Sequence, residues 1–159
     1  MSITEKDKEY MREAIRLADE SVKNGGGPFG AVIVRNGEII AGSANSVTLD
    51  NDPTAHAEVN TIRQACKKLG TFDLSDCVIY TSCEPCPMCL GAIYWARIKR
   101  IYYGNTKKDA ADINFADDFI YKELEQRKEK RFVPLISLLR NEALKTFRAW
   151  EAKQDKVEY

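Results

Sequence analysis

The stretch from Val78 to Tyr103, VIYTSCEPCPMCLGAIYWARIKRIYY, decides the fold class. Val78–Thr81 is a short apolar, β-prone run that reads as a strand. Ser82–Pro85 is a loop, Cys86–Ala96 reads as a helix, and Arg100–Tyr103 returns to strand. Strand, helix and strand at this spacing predict parallel pairing within an α/β layer structure.

The same stretch carries chemistry. The chain has five cysteines, at 66, 77, 83, 86 and 89, and three of them crowd into the seven residues Cys83–Cys89. That crowding reads as metal binding rather than a disulfide framework, while Cys66 and Cys77 read as buried thiols. Cys86 and Cys89 are three apart, so they share one helical face and reach one ion. The start of a helix favours negative charge and helps both thiols ionise.

Upstream stands His56-Ala57-Glu58, which contains the chain's single histidine. His56, Cys86 and Cys89 are then three ligands, one short of a closed tetrahedral zinc site. A free position beside a carboxylate that is not needed as a ligand suits making hydroxide at neutral pH and moving its protons. Two thiolates and one imidazole favour zinc, one ion per chain. Residues two apart on a helix face different ways, so His56 and Glu58 share a cavity only if both project past the helix end. Cys83 leaves a second reading open. With His56, Cys86 and Cys89 it makes a closed structural site, in which Glu58 has no purpose.

Working outward, residues 3–23 form an amphipathic helix, with Met11, Ala14, Ile15, Ala18 and Val22 at three- and four-residue spacing. Gly25-Gly26-Gly27-Pro28 ends it. Strands Ala31–Arg35 and Glu38–Ala41 flank Asn36-Gly37, a strong hairpin signal. Asp52-Pro53 is expected to open a second helix, Asp52 as N-cap, running through His56 and Glu58 to Gly70. Further on, Phe115–Leu124 reads as a short helix or turn and Glu125–Arg131 as a charged loop. Phe132–Leu138 reads as an edge strand carrying Pro134, and Asn141–Lys153 as a closing helix.

The 159 residues read as one domain, 1–159, with no repeat or linker. Lys+Arg and Asp+Glu balance at 24 each, which offers no bulk attraction to nucleic acid. No apolar run approaches the roughly 18 residues of a spanning helix, and residues 1–19 are too charged for a secretory signal. The expected setting is the cytoplasm, away from membranes.

His-x-Glu followed by Pro-Cys-x-x-Cys is the signature of zinc-dependent base deaminases. Gly27-Pro28-Phe29-Gly30-Ala31-Val32-Ile33-Val34, the block from Asn51 to Glu58 and the block from Tyr80 to Arg97 all resemble the zinc-dependent cytidine deaminase-like superfamily. Ser82-Cys83 before Glu84, Trp95, Asp117-Asp118-Phe119-Ile120-Tyr121-Lys122-Glu123 and the terminal Tyr159 narrow the resemblance to the bacterial guanine deaminases. It covers nearly the whole chain.

The resemblance implies a three-layer α/β/α fold with a five-stranded mixed sheet flanked by helices. It implies hydrolysis of guanine to xanthine and ammonia, zinc-bound hydroxide attacking C2 while Glu58 shuttles protons. Asp117 falls on the family's second acid and would protonate the leaving amine. Asn45 and the Ala57 backbone would hold the purine edge, Phe29 would stack on the ring opposite His56, and Trp95 would line the pocket wall. A homodimer is implied, with the C-terminal segment, about 140–159, exchanged so that Tyr159 touches the partner's substrate. The loop from Ala110 to Ala116 departs from the family pattern, which keeps Asp118 in play beside Asp117. Two other functions stay open. One is a tRNA adenosine deaminase, against which the neutral charge speaks; the other is a non-catalytic module with closed zinc.

Overall fold

The computed structural model describes residues 2–159; Met1 lies outside the described residues. Packing divides the chain into two units, one ending at Asp118 and one running Phe119–Tyr159.

The first unit is built around a four-stranded sheet. Helix α1, Glu5–Lys23, starts from Thr4, whose hydroxyl accepts the Asp7 N–H at 3.1 Å while the Asp7 carboxylate accepts the Thr4 N–H at 2.7 Å. This reciprocal cap satisfies two orphan donors and fixes the first turn. Strands β1, Gly30–Arg35, and β2, Glu38–Ala44, form the expected hairpin. Asn36 and Gly37 both adopt positive φ, 52° and 81°, the type I′ geometry that matches strand twist. Strand β3, Cys77–Cys83, pairs antiparallel with β1, and β4, Ile101–Asn105, pairs parallel with β3. The order is β2-β1-β3-β4.

Alternation along β1 and β3 builds two cores. Val32, Val34 and Tyr80 pack on Tyr10 and Ala14 of α1. Ile33 and Ile79 face the other way, onto Ala65, Leu74, Ile93 and Ile98. Each fully buried aliphatic side chain here contributes about 2–3 kcal/mol of transfer free energy. The layers close tightly on the α1 side: a Cβ on Gly30 would collide with the Ala14 carbonyl and the Ala18 amide. The opposite face is covered by α3, Ala57–Leu69, and α4, Pro87–Trp95. Helix α–sheet–helix layering and the parallel β3–α4–β4 unit are as expected.

Two expectations are corrected. Among the described residues the sheet has four strands rather than five, because Phe132–Leu138 enters no ladder. The second helix begins at Ala57, not at Pro53. The Asp52 carboxylate is taken locally, accepting from the Thr54 N–H at 2.8 Å and the Thr54 hydroxyl at 2.7 Å. A side chain closed into such a turn does not cap a helix. A short α2, Val47–Asp50, precedes this turn. Helix α5, Lys107–Asp112, lies outside the expected elements, and a Thr106–Asp109 capping box opens it.

The second unit holds most of α6, Asp118–Glu125, then a 3-10 turn, Lys128–Lys130, an irregular stretch and α7, Arg140–Ala152. Arg131 donates to the Leu124 and Gln126 carbonyls, and the Phe119 and Phe132 rings meet edge-on at 6.1 Å. No residue from Phe119 to Tyr159 is buried. No helix among the described residues is long and apolar enough to cross a membrane.

Candidate active site

Four chain segments converge where β3 ends. Because β1 runs antiparallel to β3, its first residue pairs beside the end of β3, and the Gly30 N–H donates to Ser82 Oγ at 3.0 Å. Phe29 therefore enters at this edge. Its carbonyl accepts from the Asn45 N–H at 3.0 Å, which brings the end of β2 alongside. The parallel β3–β4 pair brings Asn105 and the start of α5 to the same edge. Ligand sites of α/β sheets form at such carboxyl ends.

The turn before α3 is clamped onto this edge. Asn60 Nδ2 donates to the Ala44 and Ala55 carbonyls and to Ser46 Oγ at 3.0–3.3 Å, and the Ser46 N–H donates to the Ala55 carbonyl at 2.9 Å. His56 is the N-cap of α3, with extended φ and ψ of −71° and 155°, rather than a first-turn residue. That offset resolves the facing problem: His56 points off the helix end while Glu58 sits within the first turn.

Opposite, Cys86 is the N-cap of α4, and the Cys89 N–H donates to Cys86 Sγ at 3.4 Å. His56 Nδ1 lies 3.6 Å from Cys86 Sγ and 3.5 Å from Cys89 Sγ. Zinc–nitrogen and zinc–sulfur bonds of about 2.0 and 2.3 Å at a tetrahedral angle give a nitrogen–sulfur separation of about 3.5 Å. The three donors are thus already at coordination spacing, all within 4.8 Å of one another.

Cys83 is not among them. It is buried, and its Sγ faces the Thr106 carbonyl at 3.8 Å. Burial, reinforced by nearby Glu58 and Asp117, pushes this thiol up to about 11, and its sulfur stands outside the group formed by His56, Cys86 and Cys89. The closed three-cysteine site is therefore not what the chain builds.

Without a cation, the hydrogen bond from Cys89, aided by His56, holds the Cys86 thiol far below its usual range. The same bond and burial push Cys89 far above it, and the bond to Cys86 draws His56 up. His56, Cys86 and Cys89 would hold a dication at this point, and its charge would favour both thiols as thiolates.

Glu58 is buried beside this set, and Thr81 donates its hydroxyl to Glu58 Oε1 at 3.0 Å. Burial pushes the carboxyl up, while hydrogen bonds from its own N–H, Thr81 and Cys89 pull the other way. The net direction is upward, which favours a carboxyl able to hold a proton as well as to take one.

Asp117 also faces the cluster. Burial, then the charge of Cys86, push its carboxyl up, and its own charge acts on His56 and Cys83. Its Oδ1 is fully buried with no hydrogen-bond partner among the described residues. An orphaned buried oxygen is costly unless something else at the site uses it.

Other predicted residues divide. Phe29 is half-buried and meets the Phe115 ring edge-on at 4.9 Å. Asn45 is buried, its Oδ1 accepting from the Val47 N–H at 3.2 Å. Ala57 is fully buried at the start of α3. Trp95 is 68 % exposed at the last residue of α4, nine residues on and so about 13 Å along the axis from Cys86. It does not join the set within one chain. Tyr159 is exposed in the second unit. Thr81, Asn60 and Phe115 escaped the sequence reading, since each acts through a tertiary contact that no local pattern announces.

Residues 4–105 match the cytidine and deoxycytidylate deaminase zinc-binding region. A guanine deaminase of Bacillus subtilis is 54% identical over 151 residues, covering 94% of this chain and 97% of the relative. The X-ray structure of guanine deaminase from Bacillus subtilis superposes with a TM-score of 0.93, over 96% of this chain and 98% of that one. A tRNA-specific adenosine deaminase of Bacillus subtilis is 44% identical over 98 residues, 62% of this chain and 61% of the relative.

Proposed function

The chain belongs to the cytidine and deoxycytidylate deaminase zinc-binding family, and from that premise we propose that it is a guanine deaminase, hydrolysing guanine to xanthine and ammonia. The observation that carries this is the 54% identity over 151 residues, nearly the whole of both chains, to a guanine deaminase, and Glu58 buried beside three metal donors supplies the deaminase chemistry. Zinc held by His56, Cys86 and Cys89, one ion per chain, supplies a Lewis acid that lowers the pKa of a water to about 7.

The rest is the work of side chains. Glu58 accepts a proton from the attacking water at its carboxylate and delivers it to a ring nitrogen of the purine. Release of ammonia from C2 needs the leaving amine protonated. Asp117 gives that proton as the C–N bond breaks, and the C2 hydroxyl proton passes to Glu58 as the carbonyl forms. Exchange with solvent returns both carboxyls to their starting states. Two carboxyls thereby divide the traffic. Phe29 stacks on one face of the base with His56 opposite, while Asn45 and the Ala57 backbone hydrogen-bond its edge.

We further infer a single catalytic domain, 1–159, that works as a homodimer in the cytoplasm. Phe132, Ile136, Leu138 and Phe147 are each at least 74 % exposed, and apolar surface of this extent needs a cover. A second copy that exchanges the segment of about 140–159 provides one. It brings Tyr159 to the partner's pocket.

The relative that acts on tRNA favours a second reading, a tRNA adenosine deaminase, but that likeness spans only 62% of the chain. Ammonia release from guanine, guanosine, adenine, cytosine, cytidine and tRNA separates the readings. Turnover confined to guanine supports the proposal. Turnover of tRNA adenosine with none of guanine overturns it.

A further inference from the structure

Asp117 reaches the cluster by a defined backbone route. Helix α5 ends in a paired C-terminal turn: the Asn114 N–H donates to the Ala111 carbonyl at 3.0 Å, and the Phe115 N–H donates to the Ala110 carbonyl at 2.9 Å. This turn requires a left-handed residue after the cap, and Asn114 takes it at φ 71°. The chain reverses over buried Ala110, and the Asp117 N–H donates to the Phe115 carbonyl at 3.1 Å. These bonds are local. They shape the loop without setting where it lies against the opposite wall.

At the start of α5 the Lys107 N–H donates to Glu84 Oε2 at 2.9 Å, and at its far end the side-chain contact is the Phe115 ring, perpendicular to Phe29 at 88° with centroids 4.9 Å apart. Edge-to-face contact is directional, so it fixes orientation as well as distance. Phe115 is 45 % exposed, less than a core ring buries, so its packing is a minor part of stability. Asp117 Oδ1 has no partner among the described residues, and the hydrogen bond that its carboxyl does receive comes from its own N–H. Its direction comes from the backbone that carries it.

We propose that Phe115 is a positioning residue for Asp117: its edge on Phe29 sets the distance between the ring that stacks on the base and the carboxyl that protonates the leaving amine. The proposal rests on the guanine deaminase reading above. Stacking of the base on Phe29 and placement of the second acid are then coupled through one aromatic contact, although the loop differs in sequence from its family pattern.

The test uses zinc-loaded, full-length Phe115→Ala, Phe115→Tyr, Asp117→Asn and the Phe115→Ala/Asp117→Asn double variant, with xanthine formation, zinc content and Tm as readouts. Phe115→Ala is expected to lower kcat about 10- to 100-fold, a loss of alignment, with a smaller change in KM and unchanged zinc. Tyr, which keeps the ring edge, restores the rate. In the Asp117→Asn background the same truncation costs less than about twofold, because the residue it acts through is gone. If Ala lowers Tm, Phe115→Leu keeps the apolar bulk without the ring edge, and a full rate for Leu overturns the proposal. So do factors that multiply in the double variant, or a loss confined to KM. A wild-type protein inactive on guanine removes the parent reading, and a fully active Asp117→Asn removes the role of Asp117. Either takes this proposal with it.

Discussion

Thr81 on β3 donates its hydroxyl hydrogen to Glu58 Oε1 on α3 at 3.0 Å, and both side chains are buried. The bond joins the sheet to the helix that carries the proposed proton shuttle, and it holds one oxygen of Glu58 in place. Thr81→Val keeps the shape and removes the donor. It is expected to lower kcat on the order of tenfold, the value of one hydrogen bond to a carboxylate, while zinc content stays at wild type. Thr81→Ser should retain most of the rate. Equal rates for Val and Ser contradict this role.

Cys83 separates an open site from a closed one. Its Sγ faces the Thr106 carbonyl and stands outside the three-donor cluster. Cys83→Ala is expected to cost about 1 kcal/mol of packing and to leave zinc affinity unchanged. Cys86→Ala and Cys89→Ala are expected to lose the metal. A metal titration of the three variants decides the matter, and loss of zinc from Cys83→Ala contradicts the open site.

Asp117 and Asp118 are neighbours in sequence, yet it is Asp117 whose charge is felt by His56 and Cys83. Asp117→Asn is therefore expected to lower kcat by on the order of a hundredfold with zinc retained. Asp118→Asn should turn over near wild type. The reverse pattern in steady-state rates transfers the role to Asp118.

Asp73 holds the far end of α4. Hydrogen bonds from Ser75, then Arg97, hold its carboxyl at about 2, below the ordinary 3.8. Arg97, at φ 63°, ends the helix and pairs with Asp73 at 2.8 Å. A depressed carboxyl contributes stability that is present above 3.8 and lost as pH falls toward about 2. Asp73→Asn is thus expected to melt earlier than wild type at about pH 6, with the gap closing near pH 2. A gap in Tm that does not change with pH contradicts the assignment.

Much of this was legible in the sequence because it depends on local patterns. The run from Val78 to Tyr103 declares strand, helix and strand, and Asn36-Gly37 supplies the two positive φ angles its hairpin needs. The metal donors were legible from residue type and spacing. The start of α3 was not, because Asp52 and Pro53 are good helix openers whose signal is overridden when Thr54 captures the carboxylate. That override leaves His56 at the N-cap, where it shares a cavity with Glu58. Phe132–Leu138 has strand composition but finds no ladder partner among the described residues. Thr81 with Glu58 and Phe29 with Phe115 are contacts between distant segments, which periodicity does not encode.

The central claim is that Glu58, beside zinc held by His56, Cys86 and Cys89, moves the protons of guanine hydrolysis. Xanthine formation from guanine by zinc-loaded wild type and Glu58→Gln, with zinc quantified in both, tests it most directly. The account predicts turnover by wild type and a rate lower by about 10²- to 10⁴-fold in Glu58→Gln at equal zinc content. Glu58→Gln turning over guanine at the wild-type rate, with its zinc in place, would contradict it.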